Sequence, residues 1–227
     1  MPLYIVATPI GNLADITYRA VTTLKEADCI LAEDTRVTKR LLHHYSVDTP
    51  SITYHDFNKE KVTPQLIRRL HDGETFALVS DAGTPGIADP AFYLVRAALR
   101  EKLEVIPIPG PSAHSTALVA SGLPTDRFVF ENFLPQKSAQ RRRFFSALSS
   151  EPRTVIFYES PHRILKVLRD IDETLGDVAV VIGRELTKLH EEFLRGTPKM
   201  LLEHFEKHAV KGEMVVLVNT RVREVFD

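Results

Sequence analysis

Short apolar runs alternating with helical periodicity predict an α/β protein built on substantially parallel sheets. Three observations carry that expectation. The strand candidates are brief and rich in β-branched residues. The segments between them place apolar residues at helical spacing. A proline-and-glycine passage in mid-chain divides the whole into two lobes.

The first strand candidate is 3–8. Met1-Pro2-Leu3-Tyr4-Ile5-Val6 lacks the basic flank and longer apolar region of a signal peptide, so it reads as the opening strand of a cytosolic chain. Further candidates follow at 28–33, 51–54, 75–79 and 103–107, then at 128–132, 153–158, 178–184 and 213–219. One amphipathic helix is expected near 90–101, where Ala91, Leu94, Val95, Ala98 and Leu99 share a face. Another is expected near 161–175, from Ile164, Leu165, Leu168, Ile171 and Leu175. Asp89-Pro90, Ser160-Pro161 and Thr197-Pro198 each set a capping side chain before a proline at the first helical position. Thr35 and Ser138 are capping candidates for two other helices. Pro107, Pro109 and Pro111 around Gly110, followed by Ser121-Gly122-Leu123-Pro124, mark the boundary. The expected lobes are 1–118 and 119–227, with a cleft where a small ligand settles.

A hydrophobic content of 44% with 26% charged residues is ordinary globular composition, enough to bury a core. The single cysteine, Cys29, lies in an apolar run and reads as a buried thiol in a reducing compartment. No apolar run approaches the ~20 residues of a membrane helix. A net charge of −1 gives no global attraction to nucleic acid, so any RNA contact must come from a local patch.

Open α/β sheets bind ligands at the carboxyl ends of their strands, and four junctions there stand out. The first, Ala7-Thr8-Pro9-Ile10-Gly11-Asn12-Leu13, has neither the Walker nor the dinucleotide spacing of glycines. The second runs Ser80-Asp81-Ala82-Gly83-Thr84-Pro85-Gly86-Ile87-Ala88-Asp89-Pro90. Its Asp81 and Asp89 suit an amino group or ribose hydroxyls, although Asp89 is equally placed to cap a helix. The third is Pro107-Ile108-Pro109-Gly110-Pro111-Ser112-Ala113, where helix amides offer a shelf for a carboxylate or the segment is simply a linker. The fourth is Ala32-Glu33-Asp34-Thr35-Arg36, a charge cluster or a surface ion pair, with His55-Asp56-Phe57-Asn58 after the next strand. No ligand spacing supports a metal on Asp34, His55 and Asp81. Between Lys137 and Arg153 five basic residues face one acidic. Lys137, Arg141, Arg142 and Arg143 there form either a solvated helix face or a phosphate track. Phe144, Phe145 and Leu148 are spaced as an inward stripe.

These loops, in this order, resemble the tetrapyrrole methylase superfamily of S-adenosylmethionine-dependent methyltransferases, and within it the RNA ribose methyltransferases. The resemblance also rests on Phe133-Leu134-Pro135, Phe157-Tyr158-Glu159-Ser160-Pro161-His162-Arg163, Arg184-Glu185-Leu186-Thr187-Lys188 and Lys211-Gly212-Glu213, so it spans nearly the whole chain. It implies a two-lobed fold with S-adenosylmethionine held between the lobes. Pro9, Asp81, Gly83, Ile87 and Asp89 would contribute from the first lobe, and Ser115, Thr116, Leu134, Glu185 and Gly212 from the second. It further implies methyl transfer to a cytidine 2′-hydroxyl in small-subunit ribosomal RNA, by a cytoplasmic homodimer with no membrane attachment. Under that reading Asp34, Glu159 and Glu185 are candidate bases, and Arg36, Arg163 and Arg184 candidate phosphate ligands. Tetrapyrrole enzymes carry a glycine-richer first loop, so Pro9-Ile10-Gly11 points away from porphyrinoid substrates. Longer RNA-methylating relatives carry a C-terminal extension past the position of Asp227. The alternatives are a same-fold methylase acting on a tetrapyrrole or protein side chain, a non-catalytic RNA- or cofactor-binding module, and a Mg²⁺-dependent nucleotide hydrolase. The missing Walker lysine counts against the last.

Overall fold

The computed structural model describes residues 1–222. The chain forms two compact units, Met1–Ser112 and Ala113–Asp227. The last five positions of the lobe expected over 119–227 lie outside the described residues.

The first unit contains β1 (Leu3–Val6), α1 (Tyr18–Glu26), β2 (Cys29–Ala32), α2 (Thr35–His44), β3 (Ser51–Thr53), α3 (Lys59–His71), β4 (Phe76–Val79), α4 (Ala91–Arg100) and β5 (Val105–Ile108). Its sheet runs β3-β2-β4-β1-β5, parallel throughout. β2 and β4 are buried at every position, as expected of strands covered on both faces. Leu3, Ile5, Leu31, Phe76 and Leu78 pack under Leu66 and Leu70 of α3 and Leu94 and Ala98 of α4. Val6, Ile30, Ala32, Ala77 and Val79 meet Ala20 and Leu24 of α1 and Leu42 of α2 on the other side. Cys29 is buried, and burial pushes its thiol up.

The second unit contains α5 (Ala113–Ser121), β6 (Phe128–Phe133), α6 (Ser138–Ala147), β7 (Thr154–Glu159), α7 (Ile164–Leu175), β8 (Ala179–Arg184), β9 (Glu192–Gly196), α8 (Pro198–Lys207) and β10 (Met214–Asn219). Its sheet runs β6-β7-β10-β8-β9. Here the expectation of parallel strands fails. Only β6 and β7 are parallel, while β7–β10, β10–β8 and β8–β9 are antiparallel. The core joins this sheet to α6, α7 and α8 through Phe145, Phe157, Val167, Ile171, Leu201 and Phe205. α5 lies against β7, β8 and β10 and so groups with this unit, placing the division before the expected position 118.

Helix starts depart from the sequence reading in several places. Thr197 caps α8 as expected, accepting from the Met200 amide with Pro198 in the first turn. Ser160-Pro161 instead forms a turn ahead of α7, which begins only at Ile164. Asp34, not Thr35, caps α2. Ser138 is the first residue of α6 rather than its cap, and its hydroxyl donates to Asp170 (2.6 Å).

Candidate active site

In the first unit the loops at the carboxyl edge are tied to one another by backbone. Thr8 and Gly83 exchange both amide hydrogen bonds (2.9 and 3.0 Å), a bridge joining the loop after β1 to the loop after β4. The Thr8 hydroxyl adds a bond to the Ser80 carbonyl (3.3 Å). The Thr84 hydroxyl donates to the Pro111 carbonyl (3.0 Å), which brings in the loop after β5. Two glycines permit this closeness. Gly83 takes a left-handed φ of +81°, and a Cβ on Gly110 would stand 2.9 Å from that of Ala7. Pro9, Asp81, Gly83 and Gly110 therefore share one edge, as expected.

The acidic residues of that edge divide by duty. Asp81 Oδ1 accepts the Asp34 amide (2.9 Å) and links the loops after β2 and β4. Asp34 accepts the Arg36 amide and pairs with its guanidinium (2.6 Å), which holds the carboxyl down at about 2. An acid so weakly basic, engaged by its own helix, is a poor proton acceptor, which counts against Asp34 as a base and Arg36 as a free phosphate ligand. Asp89 accepts the Gly86 amide (2.8 Å) and the Ala91 amide (2.9 Å), so it braces its own loop and starts α4. Ile87 stands on the exposed crest of that loop. Burial raises the carboxyl of Asp89. It also raises that of Glu33, with Asp81, Asp89 and Asp56 adding repulsion. Among the described residues no group of three or more His, Cys, Asp or Glu is placed to hold a metal ion.

In the second unit Glu185 and Gly212 meet. Glu185 adopts a left-handed φ of +50°, and its Oε1 accepts the Glu213 amide (2.9 Å) and the Lys188 ammonium (2.9 Å). Those partners lower its carboxyl. Gly212, at φ +84°, leaves room for it: a Cβ there would lie 2.7 Å from the Glu185 Oε1. Ser115 and Thr116 lie in the first turn of α5. Arg184 pairs with Glu192 (2.5 Å), an occupation the sequence did not suggest.

Glu159 and Arg163 are brought together, but for support. The Glu159 side chain is fully buried at the end of β7, so it offers no base to a ribose. One oxygen accepts the Ser160 amide (2.8 Å) and the other stands 3.3 Å from Arg163 Nη2. Arg163 in turn donates to the carbonyls of Leu134 (2.9 Å) and Pro135 (3.1 Å). Arg141 completes the clamp through Pro135 (3.1 Å) and Gln136 (2.6 Å). Arg141 is 3% exposed and ion-paired with buried Asp170 (2.6 Å), which corrects its assignment to an RNA patch. Arg142 pairs with Glu173 (2.6 Å). Lys137 and Arg143 alone of the expected patch stay exposed without a carboxylate partner among the described residues. Leu134, expected at the cofactor, is buried in the core with Phe145 and Leu148. Asp170, the residue that organises α6, was missed because it lies far along the chain within an amphipathic helix.

A family model for tetrapyrrole (corrin/porphyrin) methylases matches residues 2–201. A Synechocystis protein named ribosomal RNA small subunit methyltransferase I is 50% identical, the alignment covering 95% of this chain and 78% of that one. A Thermotoga maritima protein of the same name is 48% identical over 96% of this chain and 97% of its own length. Among solved structures, a diphthine synthase superposes with a TM-score of 0.75 at 16% identity, covering 96% of this chain and 90% of the other. At that identity the likeness speaks for the fold.

Proposed function

Because this chain belongs to the tetrapyrrole (corrin/porphyrin) methylase family, we propose that it transfers a methyl group from S-adenosylmethionine to a cytidine 2′-hydroxyl in small-subunit ribosomal RNA. The observation that carries this reading is identity near one half, over nearly the full chain, to proteins named for small-subunit ribosomal RNA methylation. We assign cofactor contacts to Pro9, Asp81, Gly83, Ile87 and Asp89 in the first unit, and to Ser115, Thr116, the backbone of Leu134, Glu185 and Gly212 in the second.

The residues fit such a ligand. Asp81 is exposed and uses one carboxylate oxygen on the Asp34 amide, leaving the other for an ammonium or ribose hydroxyl. Gly83 and Gly110 let the loops after β1, β4 and β5 close on one another beside it. Bound S-adenosylmethionine supplies a methyl group already activated by its sulfonium. The chain's own work is then positioning. Alignment of acceptor and donor is worth up to ~7–11 kcal/mol, against roughly 10²–10⁴-fold from a general base. With Asp34 paired, Glu159 buried and Glu185 bound to Lys188, positioning is what these residues supply.

Incubation of the protein with radiolabelled S-adenosylmethionine and small ribosomal subunits should yield labelled 2′-O-methylcytidine on nucleoside mapping. Label entering a porphyrinoid precursor instead, or none entering RNA, would overturn the assignment. For the pocket itself, Asp81→Ala should weaken cofactor binding by about 10- to 150-fold, the worth of one charge-assisted hydrogen bond. Wild-type affinity by calorimetry would remove Asp81 from the site. The same proposal places the enzyme in the cytoplasm as a homodimer, which light scattering checks. No helix among the described residues is long and apolar enough to cross a membrane.

A further inference from the structure

β6 is the edge strand of the second sheet, and it carries phenylalanine at 128, 130 and 133. Strict alternation would send Phe133 to the face opposite Phe128 and Phe130. The register shows otherwise. Phe128 pairs with Thr154 and Phe130 with Ile156, but Tyr158 pairs with Phe133 rather than with Asn132. One extra residue is accommodated by a bulge, with Asn132 at a left-handed φ of 57°. Bulges re-aim side chains, and this one returns Phe133 to the face that Phe128 and Phe130 share.

The result is a continuous row of rings. His114 of α5 stacks at a tilt on Phe130, centroids 4.9 Å apart, and reaches Phe128 at 6.3 Å. Tyr158 of β7 stands edge-on to both Phe130 (4.9 Å) and Phe133 (5.6 Å). Phe133 remains 58% exposed and Phe128 43%. The apolar core of this unit is built without these three phenylalanines, from Phe145, Phe157 and their neighbours. Exposed apolar side chains on an edge strand invite aggregation, which sets this bulge-aimed row apart from scattered exposed side chains.

We propose that this row is a stacking platform for an unpaired nucleobase of the RNA substrate, with Phe133 as its principal ring. The proposal rests on the functional reading above. A 2′-hydroxyl is best presented to a methyl donor when its nucleotide is unstacked, and unstacked bases are held on aromatic side chains. The platform is continuous in the chain with segments assigned to the cofactor: His114 precedes Ser115 and Thr116, and Phe133 precedes Leu134. It is also rigid where it matters, since Arg163 and Arg141 grip the carbonyls of Leu134, Pro135 and Gln136 directly after Phe133. Burial pushes the Tyr158 hydroxyl up and the His114 ring down, so both favour their uncharged forms. A second copy of the chain is a poorer occupant. Interface cores are depleted of lysine and glutamate, and exposed Arg127, Glu131 and Lys137 border these phenylalanines in the sequence.

The test uses the whole chain saturated with S-adenosylmethionine and a short single-stranded oligoribonucleotide carrying one pyrrolo-cytidine, whose fluorescence falls on stacking. The wild type should quench it. Phe133→Ala should lose the quench and bind the oligonucleotide about 5- to 150-fold more weakly. Phe133→Trp should restore both. Cofactor affinity and melting temperature should stay at wild-type values throughout, because the ring is largely exposed. Quenching and affinity unchanged in Phe133→Ala would overturn the proposal, as would conversion of that variant from dimer to monomer. Methylation of small subunits is scored alongside. An active wild type with an indifferent Phe133→Ala sinks the platform alone, whereas an inert wild type sinks the functional reading and the platform with it.

Discussion

Removing the Arg141 guanidinium would leave Asp170, only 5% exposed, without its main partner. Breaking a buried ion pair from one side costs about 3–5 kcal/mol, so Arg141→Ala should lower the unfolding free energy read from urea denaturation by that amount. Arg142, half exposed in its pair with Glu173, should cost no more than about 1 kcal/mol when truncated. A second residue-level expectation concerns acid. Asp34 titrates at about 2 in the folded chain, below the ~3.9 of an unfolded aspartate. A carboxyl depressed on folding stabilises above its unfolded value, and that contribution is lost as pH falls from about 4 toward 2. Asp34→Asn keeps a good helix cap and removes this titration, so melts over that range should show a flatter acid limb. The loops that carry Asp81, Gly83 and Gly110 were legible in the sequence as parts of one sheet edge, where hydrogen bonds tie them together. Side-chain commitments were not legible. Arg141 looks identical to Arg142 and Arg143 along the chain, and only Asp170, brought alongside by the packing of α7 on α6, sets it apart.

Gly212, between α8 and β10, and Glu185, directly after β8, make a pair that can be tested as a unit. A side chain at φ +84° costs about 1–2 kcal/mol on conformational grounds, and the Cβ of Gly212→Ala would also collide with the Glu185 carboxyl. Shortening Glu185 to alanine clears that space. The double variant should therefore be less destabilised than the sum of the single ones, with a coupling of about 0.5–3 kcal/mol in a denaturation cycle. Strict additivity would mean that the glutamate does not occupy the space above the glycine. At this scale the sequence carried strands and helices well where one face is apolar, because burial leaves a period. β9 escaped notice because Glu192-Phe193-Leu194-Arg195-Gly196 is a half-buried edge strand with charges in it. The antiparallel pairing of the second sheet was equally hidden. Periodicity records which side of a strand is buried, not the direction in which it runs.

The chain as a whole carries a net charge of −1, so its overall field does nothing to gather RNA. Affinity must then come from cations that the fold leaves without carboxylates, together with stacking. Fold class was legible across the full length because alternating elements and loop motifs repeat from end to end. The distribution of usable charge was not, because neutralisation happens between elements distant in sequence. The α6 segment shows the consequence: of its expected patch, Arg141 and Arg142 are neutralised by Asp170 and Glu173, and Lys137 and Arg143 remain. Each phosphate neutralised on a single strand steepens the dependence of log K on log salt by about 0.7. If Lys137 and Arg143 meet RNA, the double charge reversal Lys137→Glu with Arg143→Glu should flatten the slope by about 1.4. It should weaken binding most at low salt and leave cofactor affinity alone. Lys207→Glu with Lys199→Glu, an equal change of net charge on exposed positions of α8, serves as the control. Equal losses from the two pairs would mean that net charge, rather than this patch, governs binding. An unchanged slope in the first pair would leave the platform on β6 to hold the RNA without help from α6.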